Sequence, residues 1–322
     1  MNSFLDPHDL AKLEGLQLRA RKIVEGFMAG PHRSPYRGFS TEFAEHRAYV
    51  PGDEIRYVDW KVFGRTDKYY VKQFEDETNL VCYLVLDVSA SMRYQGPAAP
   101  LSKLEYAKCL AASLAWIVLN SHDAVSLTTY DEIVRSTLNP SSNATHLESI
   151  LQVLQSSPES TTTRAGPLFH ELAERFQKRG IVIILSDCID ELEPFAAGLK
   201  HLRHRQHEVT LLQVLDPAEL DFPFKQRMRF LDLEQEPGVI TDPQTVRSAY
   251  LSEFQAFRDA LQNHCYQQAI DYTLVRTDSA IDTVLSRLLV ERSSSKHRSE
   301  TIPQKSRAAG RQSGLRSRTS PS

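Results

Sequence analysis

Three short, unbroken apolar runs stand out along the chain. They are LVCYLVLD at 80–87, IVIILSD at 181–187 and VTLLQVLD at 209–216. Uninterrupted apolar strands are typical of a parallel sheet covered on both faces, because neither face needs polar residues. Helical spacing occurs between the runs, and parallel neighbours require crossover connections of one hand. The pattern therefore predicts an α/β fold with a doubly wound, mostly parallel sheet flanked by helices.

The helical pattern after the first run begins at a capping signal. Ser102 and Glu105 stand three residues apart in front of an apolar stripe, which predicts the start of a helix. Periodicity predicts further helices over 167–178, 192–205, 243–265 and 279–291. Strands are expected over 69–74, near 272–276, and within MRFLDLEQE at 228–236.

Composition divides the chain into four segments. Residues 1–30 predict one N-terminal helix, because Asp6 can cap it and apolar residues recur at helical spacing behind Pro7. Residues 31–78 begin with a Gly/Pro/Ser-rich stretch and continue dense in charge and aromatic residues, without simple periodicity. Residues 79–291 form the α/β domain, and 292–322 form a tail.

The tail carries most of the chain's positive charge. The 322 residues have a formal net charge of −3, but 292–322 contain eight basic residues and one acid, Glu300. The tail is therefore +7 and the rest of the chain −10. Few large apolar residues occur in the tail, so we expect disorder. It acts either as a tether for an acidic partner, for nucleic acid or for the acidic body, or as a solvated segment without a site. We favour the second, because no aromatic residues interleave the charges for base stacking.

Composition also bears on the compartment. The chain is 41% hydrophobic and 25% charged, as in ordinary globular proteins. No run reaches the ~18 apolar residues of a membrane helix, and no basic-then-apolar leader opens the chain. Four widely spaced cysteines form no C-x-x-C pair, which argues against a zinc or disulfide framework. We expect a cytoplasmic protein that does not bind a membrane.

The end of the first apolar run carries a cluster of oxygen donors. Asp87, Ser89 and Ser91 form a D-x-S-x-S pattern in the turn after a buried strand, where α/β folds place ligands. Alternate residues of an extended turn point the same way, and hard oxygens suit Mg²⁺, Mn²⁺ or Ca²⁺. Capping alone accounts for such a pattern in many proteins. A second strand ending in Asp187 and the Ser/Thr-rich loop SSPESTTTRAGP favour the metal.

These residues resemble the metal-ion-dependent adhesion site of a von Willebrand factor A domain. The segment GDEIRYVDWKVFGRTDKYYVKQFEDE, with LVLDVSASM, HELAERFQKRGIVIILSD, QVLDPAELDFPF and VRTDSAIDTVLSRLL, is similar to the bacterial family called domain of unknown function 58. The resemblance runs from about 38 to 291. It implies a von Willebrand factor A-like sandwich of sheet and helices. Family members often accompany MoxR-type AAA+ ATPases, so it also implies an adaptor role in assembling or activating other proteins.

The resemblance also implies a ligand set. Asp87, Ser89 and Ser91 would coordinate a divalent cation, most simply Mg²⁺, with a loop threonine and Asp187 directly or through water. Of Thr161, Thr162 and Thr163, the resemblance favours Thr163. This sequence lacks the family's usual Gly-Gly-Thr-Asp wording at that place and has Arg164 where the Asp stands.

The irregular segment before the sheet carries a second motif. Its residues are Gly52, Asp53, Arg56, Asp59 and Trp60, followed by Arg65. They form either a partner-docking surface or a salt-linked clamp, with Trp60 buried, that fixes the segment to the sandwich. We favour the clamp, because planar pairing of Arg with carboxylates fixes irregular loops.

Three functions from different classes remain. The first is a non-enzymatic, metal-dependent interaction module whose cation binds an acidic side chain of a partner. The second is a metal-dependent phosphoesterase, but Ser89 stands where that chemistry wants a second carboxylate. The third is nucleic-acid binding through the tail, which the acidic body opposes. Four histidines could suggest a metal site or a catalytic triad: His170, His201, His204 and His207. The last three lie three residues apart near a helix end, where we expect solvated or capping roles. We favour the first function.

Overall fold

The structure is a computed structural model of the whole chain. It describes residues 7–29, 45–48, 62, 64–65, 69–73, 81–156, 165–226, 228–230 and 239–288. The strands are β1 (Glu45–Ala48), β2 (Tyr70–Gln73), β3 (Val81–Asp87), β4 (Ala124–Tyr130), β5 (Val134–Ser141), β6 (Gly180–Ser186), β7 (Glu208–Leu215), β8 (Met228–Phe230), β9 (Val239–Thr241) and β10 (Asp271–Arg276). The helices are α1 (Pro7–Ala11), α2 (Leu16–Ala29), α3 (Lys103–Asn120), α4 (His146–Gln155), α5 (Ala165–Arg175), α6 (Leu192–His204), α7 (Pro217–Asp221), α8 (Pro243–Gln267) and α9 (281–288).

A six-stranded sheet forms the centre, in the order β10-β7-β6-β3-β4-β5. All neighbours are parallel except β4 and β5, which form an antiparallel hairpin at one edge. The chain leaves from β3 toward β4 on one side and reaches β6 and β7 on the other. This confirms the predicted doubly wound, mostly parallel α/β fold.

Helices cover both faces of the sheet. On one face, Leu84 and Leu86 of β3 join a core with α2, α3, α4 and α9. On the other face, Tyr83 and Val85 join a core with α5, α6 and α8. Because β3 is buried on both faces along its length, its sequence has to be apolar throughout. That requirement explains why the unbroken run predicted this strand.

The N-terminal segment differs from the prediction in one respect. Two helices, α1 and α2, replace the single helix expected over 1–30, because the chain turns between them and Gly15 adopts a φ of 87°. That left-handed conformation favours glycine and interrupts a helix. Ile23 and Phe27 of α2 are buried in the core shared with α3.

The predicted elements elsewhere are found with shifts of a few residues. β2 lies within 69–74, and α8 extends two residues beyond 265. β8 begins at the first residue of the strand expected at 228–236, of which 231–236 lie outside the described residues. The sequence analysis missed β1, β4, β5, β9, α4 and α7. Strand β4 is buried but contains Ser126, Thr128 and Thr129, which break its apolar signal.

His207 is not the solvated or capping residue that its spacing suggested. Its ring is buried against the stacked rings of Tyr83 and Phe176, edge-on to both at centroid distances of 5.7 and 5.9 Å. Burial lowers the pKa of this imidazole, because the charged form loses its water. His170 and His201 instead face each other from α5 and α6, with their Nδ1 atoms 2.9 Å apart.

Candidate metal centre

The carboxyl ends of β3, β6 and β7 bring three acids to one edge of the sheet. Asp87 is the last residue of β3, Asp187 follows β6 and Asp216 follows β7. Each is 0–1% exposed. Adjacent parallel strands end at the same edge, so residues about 100 positions apart in the chain become neighbours. We call this the carboxyl edge.

Asp87 is held by two donors. The backbone N–H of Ser89 donates to its Oδ1 at 2.9 Å, and the Ser186 hydroxyl donates to its Oδ2 at 2.7 Å. The Oγ atoms of Ser89 and Ser91 lie 3.1 Å apart. Ser89 is fully buried and Ser91 is partly exposed at the start of a 3₁₀ turn (Ser91–Arg93). The predicted D-x-S-x-S cluster therefore converges, with its opening at Ser91.

The Asp87 carboxyl is electrostatically strained. Burial, and second the negative charge of Asp187, raise its pKa from 3.8 to about 7, although hydrogen bonds from Ser89 and Ser186 oppose the change. A carboxylate in this position is stabilised by a nearby positive charge. A divalent cation bound beside Asp87 would supply that charge.

Asp187 already has a cationic neighbour. The ammonium of Lys103, at the start of α3, donates to its Oδ2 at 2.8 Å, and the N–H of Ile189 donates to its Oδ1 at 3.2 Å. Lys103 is 1% exposed and also donates to Glu219 at 2.6 Å. Both Asp187 oxygens are therefore engaged by the protein. Each of these oxygens keeps a second lone pair, as the Asp87 oxygens do, so a ligand role of Asp187, directly or through water, stays a prediction.

Asp216 closes the loop that follows β3. Its carboxylate caps α7 by accepting from the N–H of Ala218, and its other oxygen accepts from the N–H of Gly96 at 2.8 Å. A Cβ at Gly96 would lie 2.3 Å from Asp216 Oδ1, so only glycine permits this approach. Glu219 completes the cap by accepting from the N–H of Asp216. The loop bearing Ser89 and Ser91 is thus tied to β7.

Sequence reasoning missed Lys103, Ser186 and Glu219. Lys103 follows the recognised cap residue Ser102, whose Oγ accepts from the N–H of Glu105 as predicted. A lysine in a first helical turn is usually solvated, and nothing local indicates its burial. Its partners are 84 and 116 residues away in the chain. Predicting that Lys103 contacts Asp187 and Glu219 requires the order of the strands in the sheet.

The residues present fit a hard divalent cation at Ser89 and Ser91 beside Asp87. Two hydroxyl oxygens and a buried carboxylate with a raised pKa make a donor set of the type that Mg²⁺ or Ca²⁺ prefers. Across the described residues, no cluster of three or more His, Cys, Asp or Glu side chains is placed to hold a metal. The proposed site has one carboxylate, Asp87, and its other oxygen donors are the hydroxyls of Ser89 and Ser91.

Several predicted residues lie outside the described part of the chain. These are Thr161, Thr162, Thr163, Gly52, Asp53, Arg56, Asp59 and Trp60. Arg65 is described as helical and exposed. Close to Thr163 in sequence, Gly166 of α5 contacts Pro194 of α6, so α5 begins beside the helix that follows β6. The start of α5 is therefore at the carboxyl edge.

Comparisons with known proteins identify a family and distant structural similarity. The model of the family described as "Protein of unknown function DUF58" matches residues 45–260, more than half of the chain. Uncharacterized proteins of Mycobacterium bovis and Mycobacterium tuberculosis are 26% identical over 221 residues, which cover 68% of this chain and 68% of each relative.

Two solved structures are similar at low identity. The conserved hypothetical protein BatB from Bacteroides thetaiotaomicron has a TM-score of 0.45 and 16% identity, covering 67% of this chain and 99% of that one. An aerotolerance-related membrane protein from Bacteroides fragilis has a TM-score of 0.42 and 14% identity, with coverages of 66% and 99%. In the part of this chain that the structure describes, no helix is both long and apolar enough to cross a bilayer.

Proposed function

We propose that this chain, which belongs to the DUF58 family of proteins of unknown function, is a non-enzymatic, metal-dependent protein-interaction module. Asp87, Ser89 and Ser91 would hold one divalent cation, most simply Mg²⁺, at the carboxyl edge. When bound, the cation supplies positive charge and an open coordination position for an acidic side chain of a partner. Thr163 is a proposed further ligand from the loop before α5.

The observation that carries this proposal is the charge balance around Asp87. Lys103 is shared between Asp187 and Glu219, whereas Asp87 is held by N–H and hydroxyl donors and has a raised pKa. Beside it, the serine hydroxyls lead to the surface at Ser91. A cation that enters there would relieve the strain on Asp87 and remain reachable from outside.

The partner proposed for the module is a MoxR-type AAA+ ATPase or one of its client proteins in the cytoplasm. Support comes from the resemblance to a family whose members often accompany such ATPases. The proposed role is an adaptor in assembly or activation of other proteins. The motif residues Asp53, Arg56, Asp59, Trp60 and Arg65 are proposed as a structural clamp, with docking as the alternative.

The sequence around Asp87 disfavours the phosphoesterase alternative. Aspartyl-phosphate chemistry pairs a nucleophilic Asp with a second carboxylate two residues on, which acts as acid and base. The residue two positions after Asp87 is Ser89, which cannot act as a carboxylic general acid. The described residues around Asp87 therefore favour binding over turnover.

Titration calorimetry with Mg²⁺ and Mn²⁺ tests cation binding directly. Ser91→Ala should weaken binding by about tenfold or more, because it removes the partly exposed hydroxyl oxygen from the donor set. Ser252→Ala, an exposed serine on α8, is the matched control and should bind as the wild type does. Equal affinity of Ser91→Ala and wild type would contradict the assigned site.

A pull-down with the MoxR-type ATPase from the same organism tests the partner. Capture should fall when a chelator is added and when Ser91 is replaced by Ala. Capture that is unchanged by chelator would remove the bridging role of the cation. Phosphoester turnover that is lost in Asp87→Ala would instead favour the enzyme.

A further inference from the structure

Two exposed isoleucines stand on either side of the candidate metal centre. Ile133 is 56% exposed and Ile189 is 46% exposed, and they are among the few large apolar side chains that the described residues leave in solvent. Strands β4 and β6 are the two neighbours of β3. Ile133 follows β4 and Ile189 follows β6, so both belong to loops at the carboxyl edge.

The two positions are symmetrical about Asp87. Asp87 is in register with Tyr130 of β4, and Leu86 with Leu185 of β6, which places Ser186 next to Asp87 on the other side. Ile133 comes three residues after Tyr130, and Ile189 three residues after Ser186. Neighbouring strands are about 4.8 Å apart, so the two loops leave the sheet about 10 Å from each other.

The turn that presents Ile133 is fixed by a buried acid. Asp131 is 0% exposed, and its Oδ1 accepts from the N–H of Ile133 at 3.1 Å. The N–H of Asp131 donates to the carbonyl of Ile133, and Arg135 pairs with the second carboxylate oxygen. The backbone of Ile133 is therefore held in place while its side chain remains in water.

The turn that presents Ile189 is held by Asp187 and Ser186 at the carboxyl edge. The N–H of Ile189 donates to Asp187 Oδ1, and the N–H of Cys188 donates to Ser186 Oγ, the same hydroxyl that binds Asp87. Cys188 adopts a φ of 60°, which is costly for a residue with a Cβ. Costly backbone conformations of this kind cluster at binding sites, and this one shapes the loop that presents Ile189.

Exposed acids stand next to both isoleucines, whereas Arg135 near Ile133 is paired with the buried Asp131. Glu132 precedes Ile133 and is exposed, and Glu191 and Glu193 are exposed beyond Ile189. An approaching segment with basic residues at its ends would be attracted to both loops. Between the two loops, a bound cation would attract an acidic side chain instead of a basic one.

From these features we infer the chemistry of the docking segment, an inference that rests on the proposed metal-dependent function. The carboxyl edge takes an extended segment of a partner protein with an acidic residue at its centre. Apolar residues stand two positions before and two positions after the acid, and basic residues flank them. The acid faces the cation at Ser91, while the apolar side chains pack on Ile133 and Ile189.

Extended backbone satisfies the spacing. In a strand, residues at i−2, i and i+2 point to one face, so the two apolar side chains and the acid all face the protein. Four residues of extended chain cover about 13 Å, close to the ~10 Å between the two loops plus the width of their side chains. A helical segment would rotate residues two positions apart by about 200° and separate them.

A defined peptide tests the inference. The probe is the capped heptapeptide lysine–leucine–serine–aspartate–serine–leucine–lysine, labelled with a fluorophore, whose binding to the full chain is followed by anisotropy in Mg²⁺. Saturable binding is expected, and the Ile133→Ser/Ile189→Ser variant should bind about tenfold more weakly, since each apolar contact accounts for a few-fold. Leu18→Ser, which removes an exposed leucine on α2, is the matched control and should not change affinity.

The outcomes separate this inference from the proposed function. Binding that needs Mg²⁺ and Ser91 but ignores both isoleucines overturns the docking motif and leaves the cation site standing. Binding that needs the isoleucines but tolerates chelator, or a peptide with asparagine in place of aspartate, removes the cation from the motif and overturns the inference as stated. Absence of saturable binding to wild type up to about 5 mM peptide also overturns it.

Discussion

Replacing Asp87 by Asn tests the electrostatic strain at the end of β3. The side chain keeps its shape and can still accept from the N–H of Ser89, but it carries no charge at any pH. In the wild type without metal, the pKa of Asp87 rises from 3.8 in the unfolded chain to about 7 in the fold. Asp87→Asn should therefore make the metal-free protein more stable at pH 8.

The raised pKa of Asp87 makes the unfolding free energy of the metal-free wild type depend on pH. A group with a raised pKa stabilises the fold fully below its unfolded pKa, and this contribution is lost as the pH rises from about 4 to about 7. The change from 3.8 to about 7 corresponds to at most about 4 kcal/mol of unfolding free energy, at 1.36 kcal/mol for each pKa unit. Local relaxation reduces this, so we expect about 2 kcal/mol in favour of the variant at pH 8 and little difference at pH 4.

Urea unfolding with a chelator, at pH values from 4 to 8, measures the effect. Asp259→Asn, an exposed acid on α8, is the matched control and should not change the pH dependence. Adding Mg²⁺ at pH 8 should stabilise the wild type but not Asp87→Asn, because only the wild type retains the carboxylate ligand. A variant that is less stable than wild type by the same amount at every pH would refute the strain at Asp87.

Three further changes probe the surroundings of the site. Lys103→Met should destabilise the fold by about 3–5 kcal/mol in urea unfolding, because Asp187 and Glu219 lose their shared ammonium. A loss of unfolding free energy no larger than in the exposed control Lys200→Met would contradict the buried pairing. Gly96→Ala should lower the melting temperature, with a cost of about 1–3 kcal/mol, since its Cβ would clash with Asp216; an unchanged melting temperature would show that the loop moves freely. His207→Leu should reduce acid sensitivity, because the lowered pKa of His207 costs stability only as the pH falls through its unfolded value near 6.5; wild-type loss of stability between pH 7 and 5 that persists in the variant would assign that loss to other groups.

The sequence predicted the centre of the sheet because burial there is complete. Strands β3, β6 and β7 are covered on both faces, so nearly every residue has to be apolar and the run is visible without alignment. Strands β4 and β5 lie toward one edge. Polar residues such as Thr128 within β4 and the exposed positions of β5 remove the signal that a pattern search needs.

The candidate site was predictable only in part for a related reason. Asp87, Ser89 and Ser91 are neighbours in sequence, so their convergence follows from local geometry. The engagement of Asp187 by Lys103 depends on which strand lies next to which, and on the depth at which α3 begins. Those are tertiary properties, and a lysine in a first helical turn gives no indication of them.

Excising the stretch that the family model matches would not yield a stable fragment of this protein. A cut at residues 45 and 260 removes α2 and α9, whose Ile23 and Ile281 are fully buried, and also deletes β10 from the sheet. The exposed flank of β7 would then offer an unpaired strand edge, which promotes aggregation. Recombinant work should therefore keep at least residues 7–288 together.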